Sequence, residues 1–84
     1  MRIIFVSTAW EDYLYWQTHN KSILKKINSF IKEIERTPFE GSGKPEPLKH
    51  NFKGFWSRRI NDEHRLVYEV TEEQICIVGC KYHY

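Results

Sequence analysis

The hydrophobic positions in the first half of the chain repeat with a helical period. A β-branched and aromatic run at 2–6 predicts a short strand. Apolar residues at helical spacing predict a helix over about 8–19, with a T-x-x-E capping box at residues 8–11. Asn20 can cap a second helix, which ends at Thr37 because the residue before a proline avoids helical backbone angles. That helix has the clearest pattern, a 3.6-residue period through Ile23, Leu24, Ile27, Phe30, Ile31 and Ile34. The two helices are predicted to form a hairpin.

The second half of the chain changes to the two-residue period of β-strands. Residues 38–47 contain all three prolines and two of the four glycines, and they predict the one long irregular segment. Four strands are predicted beyond it, near 48–51, 55–60, 64–70 and 74–82. The expected fold is α+β, a single domain over residues 1–84. In this fold a strand and a two-helix hairpin precede a four-stranded antiparallel meander, with both helices on one face of the sheet.

Strand alternation assigns each side chain to one of two sheet faces. The helices cover only one face, so the apolar alternate residues are expected there: Trp56, Ile60, Leu66, Tyr68 and Val70. In the last strand the smaller apolar set is also assigned to the core: Cys76, Val78, Cys80 and Tyr82. The other face is expected to be open and to gather four cationic or titratable side chains: Arg59, Arg65, Lys81 and His83.

Composition limits the class of protein. Hydrophobic residues are 40% and charged residues 29% of the 84, which is ordinary for a globular protein and excludes wholesale disorder. No apolar run approaches the roughly 20 residues of a membrane span. The N-terminal apolar run is too short for a signal peptide, so a cytoplasmic protein is expected. The two cysteines are expected to be reduced, because on one strand face they would lie too far apart to bridge.

The positive charge of the chain is modest but concentrated. The net charge is +2, yet the stretch from Lys44 to Tyr68 has six lysines and arginines against three acids. Such a stretch fits an anionic partner, although so small a net charge is a weak nucleic-acid signature by itself.

The predicted open face contains the groups needed to cut RNA with its own 2′-hydroxyl. That reaction needs a base for the 2′ proton, cations for the charge on the five-coordinate phosphorus, and an acid for the leaving 5′-oxygen. Glu46, which the irregular segment can bring to the edge of this face together with Lys49, can be the base. Arg65 and Arg59 can hold the phosphate. His83, a side chain that exchanges protons near neutral pH, can be the acid. No metal and no cofactor are required.

Other motif matches are weak. The run Gly41-Ser42-Gly43-Lys44 lacks the spacing and the following serine or threonine of a phosphate-binding loop. Cys80 and His83 make at most half of a metal site, because no second pair of ligands has suitable spacing. The sequence therefore predicts no metal site. Tyr84, at the exposed chain end, is the aromatic residue most readily assigned to stacking on a base.

Six blocks of sequence form a further pattern that spans the whole chain. The most specific are G-K-P-E-P-L-K at 43–49 and the terminal Y-H-Y at 82–84. The others are W-E-D-Y-L-Y-W at 10–16, R-T-P-F-E-G at 36–41, G-F-W-S-R-R-I at 54–60 and H-R-L-V-Y at 64–68. Together they resemble the YoeB toxins, which belong to the RelE/ParE-like toxins of bacterial toxin–antitoxin systems. The resemblance implies the RelE/ParE-like, microbial-ribonuclease type of fold.

The resemblance also implies an activity, partners and site residues. It implies a ribosome-dependent mRNA interferase, an endoribonuclease that cuts mRNA in the ribosomal A site and leaves 2′,3′-cyclic phosphate and 5′-hydroxyl ends. It implies a YefM-like antitoxin as partner, and a toxin homodimer or a toxin–antitoxin hetero-oligomer. By the same resemblance Glu46 is the general base, Arg65 stabilises the phosphate and His83 is the general acid. Further expected RNA contacts are Lys49, Arg59 and Tyr84, which match site positions of the family, and Lys81, from its predicted place on the open face.

Three other functions fit parts of the sequence. A non-catalytic RNA-binding module would use the arginines for phosphates and Tyr84 for stacking, and it would not need Glu46. A gyrase inhibitor, a function found in the wider superfamily, would not need an acid–base pair of Glu46 and His83. A protein-interaction domain would direct its basic face at an acidic partner.

Overall fold

The computed structural model describes residues 1–82 and contains helices and strands in the predicted order. The strands are β1 (Arg2–Phe5), β2 (Glu46–Pro47), β3 (Trp56–Arg59), β4 (Arg65–Val70) and β5 (Gln74–Gly79). The helices are α1 (Ser7–His19), α2 (Lys21–Arg36) and a short 3₁₀ helix (His50–Phe52). Within residues 1–82, none of these helices is long and apolar enough to cross a membrane.

The five strands form one sheet in the order β1-β5-β4-β3-β2. Strands β2 to β5 make an antiparallel meander. Strand β1 pairs parallel with β5 at the opposite edge, with Ile4 opposite Cys76. A parallel pair needs a long connection between its two strands, and here that connection consists of both helices and strands β2 to β4. The predicted α+β fold, with a helix hairpin and an antiparallel meander, is confirmed.

The core lies between the helices and one face of the sheet. Helix α2 contributes four buried residues at its 3.6-residue period, and α1 contributes Ala9 and Trp16. The sheet contributes alternate residues of β4, Leu66 and Tyr68, which have no exposed surface. Full burial of one such large apolar side chain stabilises a fold by about 1.5–3 kcal/mol. The predicted facing of β4 is therefore confirmed, and this packing holds the helices on the sheet.

Helix α1 begins without a side-chain cap, so the predicted capping box at residues 8–11 is wrong. The backbone N–H of Val6 donates to the carbonyl of Ile77 in β5 at 3.1 Å. Pairing with β5 therefore continues to the residue before the helix, which begins at Ser7. Thr8 then lies within the first turn, and its side chain is not at the capping position.

Helix α2 begins with the predicted cap. The Asn20 side chain accepts hydrogen bonds from the backbone N–H groups of Ser22 at 3.1 Å and Ile23 at 3.2 Å. Replacing Asn20 with alanine removes this acceptor and should lower the free energy of unfolding by about 1 kcal/mol, or about 4–8 °C in melting temperature. Asn20→Asp keeps an acceptor and should melt near the wild type. An alanine variant that melts with the wild type in thermal unfolding would contradict this energetic role.

The chain between β2 and β3 differs from the prediction, because the strand expected at 48–51 is absent. Strand β2 lies earlier, with Glu46 opposite Ser57. The next backbone bond joins the N–H of Leu48 to the carbonyl of Phe55 at 2.8 Å. The short segment between these two residues has to reverse the direction of the chain, so it forms the 3₁₀ helix and a turn instead of a strand.

Strand β5 contains a β-bulge that the sequence pattern does not reveal. Val67 of β4 is opposite Gly79, whereas its neighbour Tyr68 is opposite Ile77. Val78 is therefore an additional residue on β5. The alternation of faces along this segment changes at that point.

The bulge decides which residues of β5 and its continuation reach the core. Before it, Ile75 and Ile77 are fully buried against the helices. The prediction that Cys76 faces the core is wrong, because it lies opposite Glu69 on the other face. After the bulge, Cys80 is fully buried as predicted. Both cysteines are free thiols, and burial raises the pKa of Cys80 to about 12.

Candidate active site

Three strands and the segment before them bring five polar side chains around a small cleft: Lys44, Glu46, Ser57, Arg59 and Arg65. The register of β2 and β3 puts Glu46 opposite Ser57, and that of β3 and β4 puts Arg59 opposite Arg65. Directly opposed residues on neighbouring strands have Cβ atoms about 5 Å apart. The structure therefore brings the predicted base and the two predicted phosphate-binding arginines together on one surface.

The cleft has an excess of positive charge. Arg59 and Arg65 are a like-charged pair on adjacent strands, an arrangement that by itself disfavours folding. Among residues 1–82 neither arginine forms an ion pair with a carboxylate. Arg65 donates from one guanidinium nitrogen to the carbonyls of Asn61 at 2.8 Å and His64 at 3.2 Å, which fixes its direction. Two adjacent guanidiniums without an acidic partner can bind a phosphate through charge-assisted hydrogen bonds.

The segment before β2 turns back onto β3 and thereby sets the position of Glu46. The backbone N–H of Arg59 donates to the carbonyl of Gly43 at 2.6 Å. Gly43 has a φ of 79° and Lys44 a φ of 51°, both in the left-handed region. A Cβ atom on Gly43 would lie 2.7 Å from the ring of Phe30, so both the backbone angle and the space require glycine there. The chain leaves this turn directly into β2.

Arg58 holds the same segment from the core side. Its side chain is fully buried. The guanidinium donates hydrogen bonds to three carbonyls of the segment, those of Thr37 (2.7 Å), Glu40 (3.0 Å) and Ser42 (3.2 Å). Arg58 and Arg59 therefore point to opposite faces of β3: the first fixes the segment, and the second lines the cleft.

Two further groups complete the surroundings of Arg58. The carboxylate of Glu33 on α2 pairs with its guanidinium, and the hydroxyl of Tyr68 accepts from its Nε at 3.2 Å. Burial raises the pKa of Tyr68, so its hydroxyl keeps the proton that it donates to the carbonyl of Pro38 at 2.8 Å. The buried charge is therefore both paired and hydrogen-bonded, as burial of an ion requires.

The hydrogen bonds around Glu33 make the stability of this region depend on pH. The backbone N–H of Ser42, which donates to the carboxylate at 2.6 Å, is the main cause that lowers the pKa of Glu33, and Arg58 lowers it further. A carboxyl group whose folded pKa lies below its unfolded value of about 4.5 stabilises the fold above that pH. This contribution is lost as the pH falls through the folded pKa.

We therefore expect the free energy of unfolding to decrease on acidification below about pH 4.5. Glu33→Gln keeps a hydrogen-bond acceptor but does not titrate, so its stability should decrease less steeply. Urea unfolding of the two proteins at a series of acidic pH values measures the difference. The other carboxyl groups are the same in both proteins, so equal slopes would rule out this contribution of Glu33.

Two predicted RNA contacts, Lys49 and Lys81, lie outside the cleft. Lys49 directly precedes the 3₁₀ helix and lines a separate hollow formed by residues 48–52. The Nζ atom of Lys81 lies 3.8 Å from the centre of the Tyr15 ring on α1. Lys81 is therefore not beside Arg65 on the open face, as the alternation predicted, because β5 ends at Gly79 and strand alternation no longer applies beyond it. The roles of both lysines in RNA binding stay predictions.

Two of the predicted site residues are the last two residues of the chain. His83 and Tyr84 lie outside the described residues, so their predicted roles stay predictions. Tyr82, which was predicted to face the core, is exposed. Within residues 1–82, no group of three His, Cys, Asp or Glu side chains is arranged to hold a metal ion. That no metal and no cofactor take part stays a prediction from the sequence.

Sequence reasoning missed several residues that build the site. Lys44 and Ser57 line the cleft, and Arg58 fixes the segment that leads to Glu46. The burial of Arg58 could have been predicted. Along the strand it lies between Trp56 and Ile60, which were assigned to the core, and alternate residues of a strand face the same side. Ser57 lies two residues before Arg59 on the same strand, so alternation puts it on the predicted open face, but it was given no role.

The chain has close relatives among known proteins. Residues 5–84 match the family model of the YoeB-like toxin of bacterial type II toxin–antitoxin systems. The chain is 62% identical to Toxin YoeB of Escherichia coli strain K12 over the full length of both.

Solved structures of similar chains have the same fold. The alignment with a YoeB/ParE toxin from Agrobacterium tumefaciens covers 100% of both chains with a TM-score of 0.97 at 43% identity. The solved YoeB–YefM complex from Staphylococcus aureus has a TM-score of 0.92 at 54% identity, covering 100% of this chain and 98% of that chain. A structure of the YoeB dimer from S. aureus has a TM-score of 0.94 at 53% identity over the same shares of the two chains.

These matches assign the fold to the RelE/ParE-like toxins of bacterial type II toxin–antitoxin systems. Within that class the chain belongs to the YoeB family, because the family model covers nearly all of it and a curated relative matches it from end to end. The resemblance that the sequence blocks indicated is therefore confirmed.

Proposed function

We propose that this chain is the toxin of a type II toxin–antitoxin system and acts as a ribosome-dependent mRNA endoribonuclease. It would cut mRNA in the ribosomal A site through the 2′-hydroxyl of the RNA, without a metal ion, and would thereby inhibit translation. The observation that supports this most is the arrangement of the cleft. The carboxylate-bearing residue Glu46 lies on the same face as the guanidiniums of Arg59 and Arg65, neither of which pairs with an acid within the described residues.

In the proposed reaction, Glu46 takes the proton from the 2′-hydroxyl, and the 2′-oxygen attacks the adjacent phosphorus. Arg65, assisted by Arg59, stabilises the charge that develops on the oxygens of the five-coordinate phosphorus. The bond between phosphorus and the 5′-oxygen then breaks, and His83 donates a proton to that oxygen. The products are a 2′,3′-cyclic phosphate and a 5′-hydroxyl. The role of His83 rests on the sequence alone.

The small size of the cleft fits a substrate that is held in place by a larger partner. Its volume is about 50 Å³, against the roughly 10–15 Å³ that one water molecule needs by the same measure. A phosphate group can enter such a space, whereas the sugar and base of the nucleotide would stay outside it. The net charge of +2 gives only weak general attraction to RNA. We therefore assign the positioning of the mRNA to the ribosome, with Lys49, Lys81 and Tyr84 as additional RNA contacts.

We also propose a YefM-like antitoxin as the partner, and a homodimer or a toxin–antitoxin hetero-oligomer as the assembly. The YoeB of S. aureus has been solved both as a dimer and with YefM. This chain exposes large apolar side chains on and near β1 and α1, which offer surface for association: Met1, Ile3, Val6, Trp10 and Leu14. Because translating ribosomes are its proposed target, the cytoplasm is the proposed location.

The test is to add the purified protein to a translating cell-free extract and to map the 5′ ends of the mRNA fragments. We expect cuts in phase with codons, and fragments with 5′-hydroxyl ends that a polynucleotide kinase labels without prior phosphatase treatment. A message with a 2′-deoxynucleotide at a mapped site should resist cutting at that site, because the attacking oxygen is absent. A phosphorothioate at that site should not be rescued by Cd²⁺. The same message without ribosomes should stay intact.

The other outcomes separate the alternatives. Fragments with 5′-phosphate ends, or cutting at the deoxy position, would show that the 2′-oxygen is not the nucleophile. Rescue by Cd²⁺ would show a metal ion at the phosphate. Intact mRNA from folded protein would favour a non-catalytic RNA-binding module, or a gyrase inhibitor if DNA supercoiling by gyrase is blocked instead.

A further inference from the structure

Beyond Gly79 the chain leaves the sheet but stays attached to α1 by two side-chain hydrogen bonds. Asp12 accepts from the backbone N–H of Cys80 at 3.1 Å. The indole N–H of Trp16 donates to the carbonyl of Cys80 at 2.8 Å. Residues 80–82 are called the tail segment below, and its first residue, Cys80, is therefore held by side chains of α1 instead of continuing β5.

The tail segment is held a second time at Tyr82, by His64, which precedes β4, and by Arg65, the first residue of β4. The Nδ1 atom of His64 accepts from the N–H of Tyr82 at 2.7 Å. The carbonyl of Tyr82 accepts from the N–H of Arg65 at 2.8 Å. Tyr82 has a φ of 62°, a conformation that a non-glycine residue keeps only where its surroundings hold it. The direction in which the chain leaves Tyr82 is thus set relative to Arg65, a residue of the cleft.

The surroundings of His64 make it suitable as a hydrogen-bond acceptor. Its side chain is almost fully buried, with the Trp16 ring edge-on at a centroid distance of 4.7 Å. To accept at Nδ1 the ring must be unprotonated there, so its hydrogen is on Nε2, which lies 3.3 Å from a carboxylate oxygen of Glu63. The backbone N–H of His64 donates to the Asn61 side chain at 2.7 Å. Both the tautomer and the orientation of the ring are therefore determined.

We propose that His64 is a positioning residue for RNA cleavage. By accepting from the N–H of Tyr82, it holds beside Arg65 the part of the chain that leads directly to His83. This inference rests on the proposed nuclease function, in which His83 is the general acid. A histidine that only fills the core would be replaceable by an apolar side chain of similar size. His64 instead satisfies a backbone N–H that has no strand partner.

Protonation of His64 would break this contact, because an N–H at Nδ1 would face the N–H of Tyr82. The titratable and charged groups around the ring are Glu63, Tyr15, Lys81 and the Tyr82 hydroxyl. The proposed positioning contact therefore requires the neutral His64 ring.

The test compares two substitutions in single-turnover cleavage of mRNA on ribosomes. The amide oxygen in His64→Asn can accept near the position of Nδ1 without titrating, whereas His64→Leu keeps the apolar volume but has no acceptor. We expect His64→Leu to lower the maximal rate roughly tenfold to hundredfold, because the acid is misplaced, with an unchanged half-saturating concentration. His64→Asn should keep most of the rate and have a shallower acid limb in its pH profile. The matched control is His19→Leu, which removes an exposed histidine of α1 and should cut like the wild type.

A backbone substitution tests the hydrogen bond from the Tyr82 N–H to His64 without changing a side chain. It tests the positioning role even if His64→Leu does not fold. The Gly79–Cys80 junction suits chemical ligation, so residues 80–84 can be supplied as a synthetic peptide with an ester in place of the Tyr82 amide. The ester removes the N–H donor. We expect a fall in the rate of roughly three- to tenfold relative to the ligated all-amide chain, the range of one net hydrogen bond.

Each outcome of these experiments has a definite meaning. Wild-type rates in the ester protein, or in folded His64→Leu, would overturn the positioning role, and so would equal losses in the leucine and asparagine variants. In ¹⁵N-labelled wild type, the Tyr82 amide signal should follow the titration of the His64 ring, a readout that needs no nuclease activity. If that signal behaves as expected but the wild type cuts no mRNA, the nuclease function fails and the catalytic role of His64 fails with it. If the wild type cuts mRNA but the amide ignores the ring, only the positioning role fails.

Discussion

Replacement of Glu46 by glutamine should remove most mRNA cleavage without unfolding the protein. The Glu46 side chain is exposed, and the residue pairs with Ser57 through the backbone, so loss of its charge costs the fold little. Glutamine has nearly the same shape but cannot take the proton from the 2′-hydroxyl. Loss of a general base lowers a rate by about 10²- to 10⁴-fold, so we expect the maximal rate to fall by that factor while RNA affinity is retained.

Single-turnover rates on programmed ribosomes, together with melting temperatures, measure this effect. Glu40→Gln is the matched control, because it removes another exposed carboxylate from the same segment, outside the cleft. Its rate should equal that of the wild type. Arg65→Lys keeps the positive charge but loses the bidentate geometry, and should lower the rate by more than about tenfold. Cleavage by Glu46→Gln at the wild-type rate would show that the base has been assigned wrongly.

Replacement of Arg58 by methionine should be strongly destabilising. The change removes the guanidinium that pairs with the carboxylate of Glu33 and that donates to three backbone carbonyls of the segment before β2. Removing one partner of a buried ion pair costs about 3–5 kcal/mol, a large part of the roughly 5–15 kcal/mol that stabilises a native domain. The Glu33 side chain is 31% exposed and water can reach it, so we expect a value near the lower end of that range.

Urea unfolding at neutral pH measures the loss. Arg59→Met, at the next position of the same strand, is the control, because that side chain is exposed and faces a like charge on Arg65. Its free energy of unfolding should stay within about 0.5 kcal/mol of the wild type. Arg58→Lys restores the charge without the fork of donors, so it should recover only part of the stability. If Arg58→Met unfolds at the same urea concentration as the wild type, the buried arginine does not stabilise the fold as described.

A large part of the fold follows from patterns that are local in the sequence. The 3.6-residue period and the Asn20 cap predicted α2, and strand alternation placed Leu66 and Tyr68 on the core face. The same alternation put Arg59 and Arg65 on the opposite face, where the structure has them lining the cleft with Glu46. The burial of Arg58 was not predicted, although it alternates with the open-face residue Arg59, and its partner Glu33 lies 25 residues away in the sequence.

The features that were predicted wrongly all depend on contacts between distant segments. The bulge at Val78 exists only relative to β4, so alternation along β5 alone put Cys76 in the core. Lys81 was put on the open face because the strand was predicted to continue to residue 82, whereas β5 ends at Gly79. The strand expected at 48–51 is replaced by a turn because Leu48 bonds to Phe55.

The sequence by itself therefore determined both helices and most of the strands, and it put Arg59 and Arg65 on the open face of the sheet. Only the tertiary structure decided where strand pairing begins and ends, and how the tail segment is held by His64 and Arg65. The physical reason is that side-chain periodicity reports the environment of one segment. Bulges, turns and side-chain hydrogen bonds to the backbone are decided by the partner that each backbone group finds in the folded chain.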